Sequence, residues 1–184
     1  ENYWRTLEFR LVFEELRPEQ SDRILDVGSP KLLSLFLAEK IGAEVYSTDI
    51  ESYFVDDYTG FQLMRKIPED RYHPLTADGR HLNFADNYFS KSYPISVLEH
   101  IPGSGDTECI KEIARTLRHG GCAILTVPFA PVSRNEYKSA ASFYWSGNSE
   151  KSKNEKQVFF QRRYSEKDIH SRLIEPSGMK LKRL

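Results

Sequence analysis

The segment Arg23-Ile24-Leu25-Asp26-Val27-Gly28-Ser29-Pro30-Lys31-Leu32-Leu33 constrains this chain more than any other. A short apolar strand runs into an acidic residue and a glycine, then turns directly into an apolar-periodic helix. Ser29 carries an N-cap hydroxyl and Pro30 the fixed φ of a first helical position, so a helix is expected to open there. Leu33, Phe36 and Leu37 repeat at helical spacing until Gly42 stops the run. Strand, tight turn and helix in this order suit a parallel α/β sheet, whose carboxyl edge lets backbone amides approach a ligand closely. The same turn also occurs where glycine serves geometry alone.

The flanking segments extend the alternation. Trp4, Leu7, Leu11 and Leu16 fall on one helical face before Pro18, which predicts a covering helix over residues 3–17. Glu44–Thr48 reads as strand two and ends on Asp49. That residue lies roughly twenty positions past the turn, where a nucleoside-binding α/β fold places the carboxylate for ribose hydroxyls. A short helix is expected within residues 51–71, and a third strand over 72–77 with Pro74 on a sheet edge. Strand four should end or bulge before Pro94. Asp106 reads as the cap of a helix carrying Ile110, Ile113, Ala114 and Leu117, and Gly120-Gly121 as its terminator. Cys122–Val127 is apolar enough for a buried parallel strand. Ser165-Glu166-Lys167-Asp168 forms a capping box opening a helix that Pro176 closes, and Gly178–Leu181 starts a sixth strand.

Asp26-x-Gly28, Asp78-Gly79, Leu82-x-Phe84, Asp86-Asn87-x-Phe89, Val97-Leu98-Glu99-His100-Ile101, Arg115-x-Leu117, Gly120-Gly121 and Val127-Pro128 stand in one register. Together they resemble the S-adenosylmethionine (SAM)-dependent class I methyltransferases, specifically the methyltransferase type 11 family, over residues 23–129. The resemblance implies a single α/β domain: a doubly wound, mostly parallel Rossmann-like sheet with helices on both faces, strand one central and the last strand lacking. It implies SAM as cofactor. Gly28 and Ser29 would flank the methionine end with Asp26 near the amino group. Asp49 would take the ribose, with Ile50 beside the adenine. Asp78 would meet the adenine amino group, supported by Gly79, and Ile95 would offer backbone contacts. The family writes its first motif as Asp-x-Gly-Cys-Gly-x-Gly. Here only Gly28 persists, Ser29, Pro30 and Lys31 replacing the rest.

Methyl transfer asks mainly that donor and acceptor be held close and in line. For a hydroxyl-like acceptor a base helps, and His100, just past strand four, is the candidate; a packing or capping role is the alternative. Residues 130–163 hold aromatics without clean periodicity and read as a lid or substrate wall, with Tyr144, Trp145 and Phe160 facing the same crevice as His100. A surface loop is the alternative. Lys138, Lys151, Lys153, Lys156, Arg162 and Arg163 outnumber the acids there, as in an acidic-substrate wall or a solvated face.

Composition bounds the rest. The 184 residues, 39% hydrophobic and 29% charged, describe one soluble domain without a membrane-length apolar run or signal peptide, so a cytoplasmic location is expected. Net charge of −1 argues against a nucleic-acid partner. Cys109 and Cys122 lack metal spacing and are expected as buried thiols; the histidines suggest no metal either. The chain starts at Glu1 without a methionine and stops within an expected strand, so a longer polypeptide is expected. The leading functional reading is methyl transfer to a small molecule. A catalytically silent binding or scaffold module is the alternative, and a nicotinamide oxidoreductase is disfavoured by the missing Gly-x-Gly-x-x-Gly.

Overall fold

Strand β1 (Arg23–Val27) lies between β2 (Glu44–Asp49) and β4 (Phe89–Tyr93), parallel to both, because each side of this apolar run is covered by helices. The computed structural model describes residues 3–139 and 157–184. Its main sheet has the order β3-β2-β1-β4-β5, with β3 (Tyr72–Thr76) and β5 (Leu117–Ala123) at the edges and every pairing parallel. This is the doubly wound arrangement the alternation predicts.

Side-chain alternation along β1 separates two cores. Ile24 packs with Val45 and Tyr93 against α1 (Tyr3–Leu16) and α2 (Leu32–Phe36), the latter continuing as π-type Leu37–Ile41. Leu25 and Val27 pack with Phe89 against α4 (Gly105–Thr116) and the C-terminal helical run. That run comprises α5 (Glu166–Asp168), π-type Ile169–Ile174 and α6 (Glu175–Ser177). Helix α3 (Ser52–Met64) follows β2.

Several local expectations are corrected. Helix α1 buries Val12 and Leu16, flanked by Phe9 and Phe13, while Trp4, Leu7 and Leu11 stay exposed. Two apolar stripes compete along this helix, and the one with adjacent phenylalanines faces the sheet. Ser29 caps nothing: Lys31 is the N-cap of α2, and the Ser29 hydroxyl instead bonds the backbone of Tyr93 and Ile95 at the end of β4. Asp106 is not the cap of α4 either, since Ser104 holds that position and the Asp106 carboxylate turns inward. Helix α4 stops at Thr116 and β5 begins at Leu117, before the glycine pair. The register jumps from Phe89 opposite Leu117 to Lys91 opposite Cys122, and left-handed Gly120 serves this bulge.

Strand β4 ends at Tyr93, as Pro94 requires. Ile124 and Thr126 donate to Ser92 and Pro94 carbonyls, and an Ile95–Thr126 bridge carries the pairing onward. Half of the capping box forms: Ser165 Oγ accepts from Asp168 N, but the Ser165 N–H donates to Ser133 Oγ instead of the Asp168 carboxylate. The last helix runs past Pro176 to Ser177, with left-handed Gly178 as its stop. Residues 178–181 form no strand: no described strand offers them a ladder, and Met179 packs on the second core instead. Cys109 is buried and Cys122 half-buried, both free thiols.

After β5 the chain forms an antiparallel hairpin, β6 (Arg134–Ser139) with β7 (Gln157–Arg163). A buried ion cluster roots it. Asp106 accepts from Arg162 Nη1 at 2.6 Å, Arg172 Nη2 at 2.6 Å and Tyr164 Oη at 2.9 Å. No described helix is long and apolar enough to cross a membrane.

Candidate functional site

The carboxyl ends of β1, β2 and β4, the loop after β3 and strand β7 enclose a cavity of about 570 Å³, nucleoside-sized. Its walls include Gly28, Ser29, Asp49, Ile50, Asp78, Gly79, His100 and Phe160. Asp26 and Ile95 do not line it. Tyr144 and Trp145 lie outside the described residues.

The turn after β1 explains this division. Gly28 has φ +62°, and a Cβ there would stand 3.0 Å from Val97 Cγ1, so the residue answers both a left-handed backbone and a close approach. Ser29 Oγ donates to Tyr93 O at 2.9 Å and accepts from Ile95 N at 2.7 Å, which ties the turn to the end of β4. Beneath it Asp26 is fully buried. Its carboxylate accepts from Ser29 N at 3.1 Å, Ser47 Oγ at 3.0 Å and Ser34 Oγ. Burial raises its pKa, while Lys31 and these bonds oppose the shift. Asp26 is thus a brace under the turn, one layer behind the cavity wall.

Sequence reasoning missed two cations. Lys31, 4% exposed, donates Nζ to Thr48 O at 2.8 Å and stands 3.4 Å from Asp49 Oδ2 and 3.9 Å from Asp26 Oδ2. Arg80 clamps Asp78 with Nη2–Oδ2 at 2.6 Å and holds that carboxyl below its ordinary pKa. A lysine inside a glycine-type turn was the legible signal for the first, since a buried ammonium needs carboxylates nearby. Asp49 Oδ1 also accepts from Glu51 N at 3.1 Å, which fixes its carboxylate at the cavity wall beside exposed Ile50. An ionised carboxylate has about four acceptor sites, so a diol still finds lone pairs there. Gly79 serves packing: a Cβ would sit 2.9 Å from Cys109 Sγ and Val27 Cγ1.

The opposite wall holds His100, with Glu99 buried beside it and not lining the cavity. His100 ends a single 3₁₀ turn (Leu98–His100) and places Nδ1 2.6 Å from Phe160 O. Burial pushes its pKa down; the Phe160 bond opposes this and Lys138 adds to it. Glu99 Oε1 stands 3.8 Å from His100 Nε2, and Glu99 Oε2 is buried without a hydrogen bond. Burial pushes the Glu99 carboxyl up to about 8, helped by Glu8 and opposed by Arg5. The folded protein therefore keeps this proton where the unfolded chain, near 4.5, has lost it. Stability contributed by neutral Glu99 is full below about pH 4.5 and falls as pH rises towards 8. Glu99→Gln is expected to flatten that fall in a Tm-versus-pH series. Parallel curves for variant and wild type from acid to pH 8 would exclude a neutral Glu99.

Among the described residues no group of His, Cys, Asp or Glu has the placement to hold a metal. The arrangement can bind a polar, ring-bearing ligand at Asp49 and Ile50 and accept a proton at the imidazole.

Comparison with known proteins bears on this geometry. The methyltransferase type 11 family, described as a methyltransferase domain, matches residues 25–125, more than half the chain. Comparison with curated proteins finds no match. Among solved structures, YcgJ from Bacillus subtilis superposes with a TM-score of 0.62 at 18% identity, covering 68% of this chain and 52% of its own. PH0226 from Pyrococcus horikoshii OT3 gives 0.58 at 22%, covering 68% and 57%. Geranyl diphosphate C-methyltransferase from Streptomyces coelicolor A3(2), in complex with Mg2+, geranyl diphosphate and S-adenosyl-L-homocysteine, gives 0.59 at 13%, covering 66% and 45%. At these identities the likeness is one of fold, and the chain spans about half the length of these proteins. With a family match running from Leu25 in β1 to Leu125 beyond β5, across the strands that frame the cavity, the chain belongs to the methyltransferase type 11 family.

Proposed function

We propose that this domain transfers a methyl group from SAM to a small-molecule acceptor bearing an ionisable X–H group. The observation that carries the reading is Asp49: a carboxylate fixed at the end of β2, on the wall of a nucleoside-sized cavity in a methyltransferase-family domain. Asp49 would hold the ribose hydroxyls, Ile50 would pack on the adenine, and Asp78 with Gly79 would face its edge. Gly28 and Ser29 would flank the methionine end, with Asp26 bracing that turn and Ile95 holding Ser29 in place. When bound, SAM supplies a methyl group on a sulfonium whose departure as a neutral sulfide is already easy. The chain's own work is to align the acceptor and exclude water through Phe160, while His100 takes the acceptor's proton.

Asp49→Ala is expected to weaken SAM binding 10- to 100-fold, the ~1.5–3 kcal/mol of a charge-assisted hydrogen bond. Lys31 keeps Thr48 O and Asp26 as partners in that variant, so the fold should persist. Isothermal titration measures this directly, and equal affinity in a folded Asp49→Ala protein removes the ribose assignment. One observation favours a second reading, a catalytically silent binding module: Lys31 and Arg80 already engage Asp49 and Asp78. Titration with SAM decides between them if the wild type takes up none.

A further inference from the structure

Strand β7 enters the site through its backbone, at a point where its ladder is interrupted. Gln161 stands opposite Glu136 and Phe159 opposite Tyr137, so Phe160 is the inserted residue of a bulge. A bulge turns the inserted peptide out of the ladder and re-aims it. Here the Phe160 carbonyl is directed at His100 Nδ1, 2.6 Å away. A carbonyl oxygen has no proton to give, so this bond forms only when Nδ1 carries the hydrogen. In the neutral ring the lone pair then belongs to Nε2.

The surroundings hold that arrangement. The Phe160 ring lies against the imidazole at 5.2 Å between centroids, and Lys138 Nζ sits 3.3 Å over the same phenyl ring. Two residues beyond the bulge, Arg162 is bound into the buried Asp106 cluster, so the strand has a rigid root. Among the described residues, the charged and titratable groups facing the imidazole are Glu99 on its own turn, Lys138 on β6 and Arg5 on α1, with Glu8 of α1 acting on Glu99.

We propose that the bulge at Phe160 is a positioning device: its main-chain carbonyl fixes His100 as the Nδ1–H tautomer and makes Nε2 the proton-accepting nitrogen. Hairpin β6–β7 then acts on the reaction through His100. The chemical value of that placement rests on His100 being the base, but the placement itself is testable without any ligand.

Nitrogen-15 NMR of the uniformly labelled protein, with the His100 signals assigned by their loss in His100→Gln, reads the tautomer directly. The wild type is expected to show a protonated Nδ1 and an unprotonated Nε2 above the ring's pKa. Phe160→Ala keeps the carbonyl and should keep this pattern. Deleting Phe160 restores a regular two-residue register and should shift His100 to the Nε2–H form. A protonated Nε2 in the wild type overturns the proposal. So does loss of the pattern in Phe160→Ala, which would make ring packing the cause, or its survival in a folded deletion variant. If the deletion variant does not fold, the wild type and Phe160→Ala still decide. Should the tautomer be as expected while His100→Gln retains full turnover, the reading of His100 as base fails and this positioning stands.

Discussion

Asp106→Ala is expected to lower the unfolding free energy by about 3–5 kcal/mol, the cost of removing one partner from a buried ion cluster. Asp106 is fully buried, and its carboxylate is the common acceptor for Arg162, Arg172 and Tyr164. Both guanidinium groups also donate to Gly103 O, at 3.0 and 2.6 Å, but a carbonyl dipole does not offset two cations. Arg162 is only 7% exposed and has no route to water without moving strand β7. In a chain of this size the loss corresponds to a Tm roughly 10 °C lower. Urea denaturation provides the free energy. A loss under about 1 kcal/mol would mean that the hairpin is rooted elsewhere, because surface ion pairs contribute that little.

The same residue shows where sequence reasoning stops. An aspartate at a helix start, followed by a clean apolar repeat, is indistinguishable from a cap when only neighbours are considered. Its partners lie 56, 58 and 66 positions away, and only the returning strand β7 and the last helix make it a hub. Ser29 misleads for the same reason, since its hydroxyl answers Tyr93 and Ile95 rather than its own helix. What was legible depended on periodicity and punctuation. The β1 turn, Asp49 at the end of β2, edge-strand Pro74 and the stop before Pro94 all follow from local rules, and the structure has each of them. The missing sixth strand was a pattern without a partner. The bulge at Phe160 had no signal in sequence, because a register shift depends on the opposite strand.

His100→Gln is expected to leave SAM affinity intact and lower turnover by roughly 10²–10⁴-fold, the usual contribution of a placed general base. The sign of the pH dependence follows from the site. Burial lowers the imidazole's pKa below 6.5, so the wild-type rate should rise as pH increases through a point on the acid side of 6.5 and then level. Glutamine does not titrate there, and the variant's residual rate should lose that acidic limb. Glu99 refines the test. With its carboxyl neutral up to about pH 8, it places no negative charge beside Nε2 in the neutral range, and the imidazole stays a weak, easily recycled base. Above that point an ionised Glu99 next to Nε2 favours the protonated ring and draws the His100 proton equilibrium upward. Glu99→Gln should therefore keep the acidic limb and the plateau, because the group it removes is uncharged there. If instead the limb lies near pH 8, and Glu99→Gln abolishes it while His100→Gln does not, the titrating group is Glu99.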